Sequence, residues 1–118
     1  IKFLGFKDNV YKYYKRAICF TLTSAWEDPG FVLIEAAASK IPIISSDCKN
    51  GPKEFIKSND NGYLYKNYDL NSFLETFENF MADLENKKNK IDTKIYNAFK
   101  EVKNYTKFNH YKELVKIL

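Results

Sequence analysis

The chain has only two cysteines in 118 residues, and their placement removes two functional classes at once. Cys19 lies in the apolar run AICFTLTS and Cys48 in the turn SDCKNGP; this is neither a metal-ligand spacing nor the disulfide framework of a secreted domain. Free thiols in a reducing compartment are expected. No apolar run approaches membrane-spanning length and the first residues carry no signal-peptide pattern, so the chain reads as cytosolic. No compact basic stripe with interleaved base-stacking aromatics occurs, which argues against nucleic acid. The single histidine, His110, falls in the last segment and is expected to be structural. Internal repeats, low-complexity linkers and a second domain are also missing.

What is present describes one folded domain. Hydrophobic residues make up 45% and aromatic residues 17%, too much apolar surface for a disordered tail. Lys+Arg 19 against Asp+Glu 15 gives a formal charge of +4, and the lysines lie mostly after position 85 on segments with helical spacing. A solvated helix face is the preferred explanation, with a membrane-facing or nucleic-acid-facing patch as the alternative. The first residues, IKFLGF, start inside an apolar strand-like run without an initiator methionine, which suggests a piece of something longer.

Strand and helix signals alternate over residues 1–66. KFLGF reads as a strand, and DNVYKYYKRA as a helix with Val10, Tyr13, Tyr14 and Ala17 on one side behind an Asp8 or Asn9 cap. ICFTLTS is strand, GFVLIEAAASK helix, IPIISSD strand, GPKEFIKS a short helix and GYLYK strand after the turn NDNG. Such alternation predicts an α/β domain with a parallel sheet, right-handed crossovers and helices on its faces. Residues 67–118 are helical: Asp69 caps a segment carrying the stripe Leu70, Phe73, Leu74, Phe77, Phe80, Met81 and Leu84. A second stripe is Ile91, Ile95, Phe99 and Val102, and a third is Phe108, Tyr111, Val115 and Leu118. All three are expected to be core.

One stretch carries chemistry, TSAWEDPGFVLIEAAASKIPIISSD. Ligands of open parallel sheets bind beyond the carboxyl ends of the strands, and the turn from CFTLTS into GFVLIEAAAS lies at such an end. Pro29 and Gly30 suit a first helical turn, and the amides of Gly30, Phe31 and Val32 would face the open edge as a phosphate site. Glu35 lies roughly 7.5 Å further along the axis, at 1.5 Å per residue, and Glu27 lies outside the helix on the other side. An anion site flanked by two hydroxyl-binding carboxylates matches the layout of a nucleotide sugar. Ser24, Asp47 and Asn50 stand at neighbouring strand ends and either line the sugar pocket or form turns. Simpler roles remain for the rest: Glu27 as a charge favoured by the helix dipole, Glu35 as a solvent-facing residue, Trp26 as buried packing, and alanines 36 to 38 as the close contact with the sheet.

The spacing from Glu27 to Glu35 resembles the E-x7-E motif of the retaining GT-B glycosyltransferases of family 4. The surrounding FLGF, S-x-x-E-x-x-G-F-V-L-I-E-A, P-I-I-S-S-D, G-P-x-E-F-I and N-G-Y-L-Y follow the family's order over residues 1 to about 66. The resemblance implies a truncated Rossmann-like GT-B C-terminal domain, with residues 1–118 forming its nucleotide-sugar-binding part. It implies that Glu27 serves as the catalytic residue at the donor sugar, that Glu35 holds the ribose, and that Gly30, Phe31 and Val32 hold the phosphates. No cofactor and no metal are implied, because the nucleotide-diphosphate sugar is the donor substrate. The implied partners are that donor, an N-terminal GT-B domain for the acceptor and, peripherally, the inner face of the membrane. Transfer of a hexose or N-acetylhexosamine into surface polysaccharide or glycoconjugate follows, with a non-catalytic α/β phosphate-binding or interaction module as the alternative.

The family's Arg/Lys pair, its first two strands and its acceptor domain have no counterpart here. Transfer by the chain alone is therefore not expected. In the family's 3-2-1-4-5-6 order KFLGF would be strand 3, deprived of its neighbours. It is expected to be either loosely held or repacked on the edge of CFTLTS.

Overall fold

A computed structural model describes residues 1–57 and 60–117. Three strands, β1 (Phe20–Leu22), β2 (Ile43–Ser46) and β3 (Tyr63–Tyr65), form one parallel sheet in the order β1-β2-β3. Phe20 stands opposite Ile43, and Ile44 opposite Tyr63. The helices are α1 (Tyr11–Tyr14), α2 (Phe31–Ala38), α3 (Pro52–Phe55), α4 (Leu70–Asn86), α5 (Lys88–Glu101) and α6 (Lys107–Ile117), with a 3-10 turn at Val102–Tyr105 between the last two.

β2 is buried along its whole length, so its side chains feed two separate cores on opposite faces. On one face Ile43 joins Leu22, Leu33, Ala36, Ala37, Phe55 and Ile56 beneath α2 and α3. On the other, Ile44 joins Tyr63, Tyr65, Phe80 and Ile91 beneath α4. Ala36 and Ala37 let α2 lie flat on the sheet, whereas Ala38 faces outward. α5 belongs to both cores, Ile91 and Ile95 in one and Ala98 in the other. It crosses below the amino ends of the strands, where Lys94 Nζ donates to Gly62 O at 3.4 Å just ahead of β3. The carboxyl ends of the strands are thereby left open on the opposite side.

Local chemistry explains most element ends. Asp69 caps α4 by accepting from Ser72 N at 3.0 Å, and Asn9 Oδ1 accepts from Tyr11 N at 3.1 Å ahead of α1. Pro52 occupies the first position of α3, where no amide donor is needed.

Several expectations are corrected. KFLGF forms no strand: residues 1–9 are exposed, and among the described residues nothing pairs with the free edge of β1, so the segment is not repacked there. The helix expected over DNVYKYYKRA stops at Tyr14, leaving Ala17 exposed. α2 begins at Phe31, so Pro29 and Gly30 precede it, and Gly30 caps it in the left-handed conformation, φ 75°. The α4 stripe is core only in part, with Phe80 buried, Phe73, Met81 and Leu84 half-buried, and Leu70, Leu74 and Phe77 exposed. Phe99 is exposed as well. On α6 Phe108, Tyr111 and Val115 are exposed, because no described element covers that helix. Trp26, expected to pack, is 61% exposed. Ser58 and Asn59, parts of the expected short helix and turn, and Leu118 of the last stripe lie outside the described residues.

Candidate functional site

The loop from β1 to α2 emerges at the open end of the sheet and is braced from β2 and from the segment just after β3. Ser46 Oγ donates to Ser24 O at 2.6 Å, and Asn67 Nδ2 donates to Ala25 O at 2.8 Å. Tyr65 Oη donates to Leu22 O at 3.1 Å, tying β3 to the end of β1 across β2. Asp47 holds the next layer: its carboxylate accepts from Asn67 N at 2.8 Å and stands 3.6 Å from Lys53 Nζ. Asp47 thereby braces the turn that follows β2. Asn50 likewise occupies a turn in the left-handed region, φ 64°, and is exposed.

Gly51 locks this layer to the loop above it. A Cβ there would stand 2.3 Å from Pro29 O and 3.0 Å from Pro29 C, closer than any side chain allows, and its φ of +146° is itself unfavourable for other residues. The backbones of the two strand-end loops are therefore in direct contact. The sequence alone assigns Gly51, Asn67, Ser46 and Tyr65 no functional role. The Gly-Pro pair was a usable turn signal for the first, whereas the others are ordinary residues until the strands are aligned.

The residues expected to carry chemistry gather at the head of α2. Glu27, half-buried, folds back on the helix start, with Oε2 3.5 Å from the point where a Cβ at Gly30 would stand. No acidic side chain lies in the first helical turn itself, and the amides of Phe31 and Val32 donate to no acceptor among the described residues. Those amides and the helix dipole, about half an elementary charge, make an electropositive end against which the Glu27 carboxylate rests. Phe31 and Val32 expose their side chains. Glu35 lies on the same helix, half-buried, close enough that its charge, after burial, helps push the Tyr14 phenol up.

Two hollows flank the loop. One, about 430 Å³, opens on the α4 side between Thr23, Ala25, Tyr65, Tyr68, Leu70 and Phe73. The other, about 400 Å³, lies between Pro29 and Phe31 on one wall and Tyr105, Lys107 and His110 on the other. His110, expected to be remote from the motif, is thus brought beside it, because the 3-10 turn folds the chain back towards α2.

Both thiols are free, Cys48 buried and Cys19 half-buried, with burial pushing the Cys19 thiol up. Among the described residues no three His, Cys, Asp or Glu side chains cluster closely enough for a metal ion. No helix among them is long and apolar enough to cross a membrane.

A parallel sheet flanked by helices on both faces, open at its carboxyl edge, is the architecture of the C-terminal domains of GT-B glycosyltransferases. The structure superposes with a TM-score of 0.69 on the C-terminal domain of a glycosyl transferase group 1 family protein (LpcC) from Francisella tularensis, at 22% identity over 91% of this chain and 53% of that one. The profile of the family described as Glycosyl transferases group 1 matches residues 1–98, and the chain belongs to that family. It is 43% identical over 53 residues to the poly(ribitol-phosphate) alpha-N-acetylglucosaminyltransferase of Staphylococcus aureus, covering 45% of this chain and 11% of the relative. It is 31% identical over 103 residues to the Campylobacter jejuni N-acetylgalactosamine-N,N'-diacetylbacillosaminyl-diphospho-undecaprenol 4-alpha-N-acetylgalactosaminyltransferase, covering 85% of this chain and 28% of that protein. The chain therefore spans less than a third of the length of these curated relatives.

Proposed function

We propose that this chain is the donor-binding part of a retaining, family 4 type glycosyltransferase that moves a hexose or N-acetylhexosamine from a nucleotide diphosphate onto a growing surface polysaccharide or glycoconjugate. The observation that carries the reading is the head of α2, where the Glu27 carboxylate rests against Gly30 beside the amides of Phe31 and Val32, with Glu35 further along the same helix. The two named relatives, which transfer N-acetylhexosamines, support the substrate class.

In this scheme the diphosphate lies over Gly30, Phe31 and Val32, whose amide dipoles stabilise the charge that builds on it as the sugar departs. Glu35 accepts hydrogen bonds from the ribose hydroxyls and Glu27 from hydroxyls of the donor sugar, which fixes the anomeric carbon relative to the leaving oxygen. Gly51 and Asn67 hold the loop that carries Glu27. The acceptor is supplied by an N-terminal GT-B domain, and the family's Arg/Lys pair adds the positive charge that helix amides alone do not provide. The isolated 118-residue chain binds donor weakly and transfers no sugar.

The test is calorimetric titration of the chain with UDP, GDP and ADP, repeated with the 3′-deoxy form of whichever nucleotide binds. Glu35→Gln should weaken the ribonucleotide roughly tenfold, the scale of a lost hydrogen bond to a charged group, and should erase discrimination against the deoxy form. Equal affinity of Glu35→Gln and the parent for both forms removes Glu35 from the site. Binding of inorganic pyrophosphate as tightly as of any nucleotide would favour a plain phosphate-binding module instead.

A further inference from the structure

Away from the donor loop, α4 and α5 meet at the outer edge of β3 around a hollow of about 370 Å³. Its polar lining is Thr76, Asn79, Asp83, Lys87, Lys90 and Lys94, three ammonium groups against one carboxylate. That carboxylate is already committed. Asp83, 4% exposed, accepts from Tyr63 Oη at 3.0 Å and pairs with Lys90 Nζ at 2.6 Å. Lys94, 5% exposed, makes a single long bond of 3.4 Å to Gly62 O and lies 4.7 Å from the centre of the Tyr63 ring. An ammonium has three donors, so two of Lys94's remain for the hollow. Among the described residues neither Lys87 nor Lys94 forms an ion pair.

A buried lysine outside any ion pair is costly: burial, followed by the charge of Lys90, pulls the Lys94 ammonium below its usual range, and the Asp83 and Asp60 carboxylates nearby offset this only in part. A methionine of similar length would fill the same space at no such cost. The hollow also faces away from the donor loop, since Gly62 precedes β3 whereas Glu27 follows β1.

We propose that this hollow is an anion site for a phosphate monoester, with Lys94 at its floor and Lys87 and the Asn79 amide at its rim pairing with the phosphate oxygens, while Asp83 fixes Lys90 and Tyr63 as its wall. The three ammonium groups of the lining exceed its one carboxylate by the charge of a phosphate dianion, with Asp60 near Lys94 but outside the lining, and a hollow of about 370 Å³ suits a compact phosphate rather than a nucleic-acid strand. A soluble phosphoester and a lipid headgroup present the same oxygens, so the two sources are separated by experiment. The site does not depend on the reading of Glu27 and Glu35.

The experiment is two-dimensional amide NMR on the 118-residue chain titrated with inorganic phosphate at constant ionic strength, then with phosphatidic acid vesicles against phosphatidylcholine vesicles. Saturable shifts of the amides of Asn79, Asp83, Lys87 and Lys94 are expected. Lys87→Gln, an exposed substitution that leaves the fold alone, should weaken phosphate about threefold to fivefold, as for an exposed charge pair. Lys94→Met should weaken it about tenfold or more. Shifts at these residues with phosphatidic acid only, or with free phosphate only, name the source. Shifts confined to Gly30–Leu33, or a phosphate affinity unchanged in both Lys87→Gln and Lys94→Met, overturn the site and leave the cluster a structural network.

Discussion

Replacing Gly51 by alanine should damage the domain out of proportion to one methyl group. The added Cβ would stand 2.3 Å from Pro29 O, where ordinary contact begins at 3.4 Å, so one loop must retreat by about 1.1 Å. Neither partner retreats freely, because the Pro29 loop is tied to β2 and β3 through Ser24 and Ala25, and Gly51 leads directly into α3. Overpacking of this kind costs about 1–3 kcal/mol, and an unfavourable backbone region about another 1–3 kcal/mol, so a loss of about 2–5 kcal/mol is expected. Displacing Pro29 also displaces Gly30 and Glu27, which follow and precede it closely in the same loop. Urea unfolding of Gly51→Ala beside Gly5→Ala isolates the contact. Gly5 also has positive φ, but a Cβ there meets nothing within 4 Å, in a segment that is exposed throughout. Loss of less than about 1 kcal/mol in Gly51→Ala, or equal losses in the two variants, would refute the bracing of one strand-end loop by the other.

Phe80, 1% exposed in the core beneath α4, should cost about 3–5 kcal/mol when cut to alanine, read from the same urea transitions. Asp69→Ala removes the side-chain N-cap of α4 and should cost about 1 kcal/mol, while Asp69→Asn, which keeps an acceptor for Ser72 N, should cost only a few tenths. Burial alone would push the Asp83 carboxyl up, but hydrogen bonds from Lys90 and Tyr63 outweigh it and hold the carboxyl below its usual range. Because the folded value lies below the unfolded one, near 3.9, Asp83 contributes its stability above about pH 4 and loses it as the pH falls through the folded value. Acid titration of stability in Asp83→Asn should be flatter than in the parent over that window, and superimposable curves would show that another carboxylate drives acid unfolding.

Much of this protein was legible in its residues because the signals are local. The β2 run IPIISSD, the Asp69 cap, and the close-packing alanines at 36 and 37 need only a pattern, a side-chain oxygen or a small volume to act. The family could be read the same way, since its motifs are short and ordered along the chain. Tertiary structure decided whatever depends on a neighbour. KFLGF has strand chemistry yet forms no strand, because a strand requires a partner for its backbone groups and none among the described residues lies beside it. The exposed faces of α4 and α6 have helical periodicity, which determines that a stripe exists but not that anything covers it. Asp47 has no visible partner in the sequence, and the third strand brings Asn67 N within 2.8 Å of it; Gly51 reads as part of a turn, and the fold presses it against Pro29. The sequence by itself determined the order of the elements from α1 onward and the residues at the head of α2. Only the packing of three strands side by side determined which loops touch there, because contacts between residues far apart in the chain arise from the whole fold and from no single segment of it.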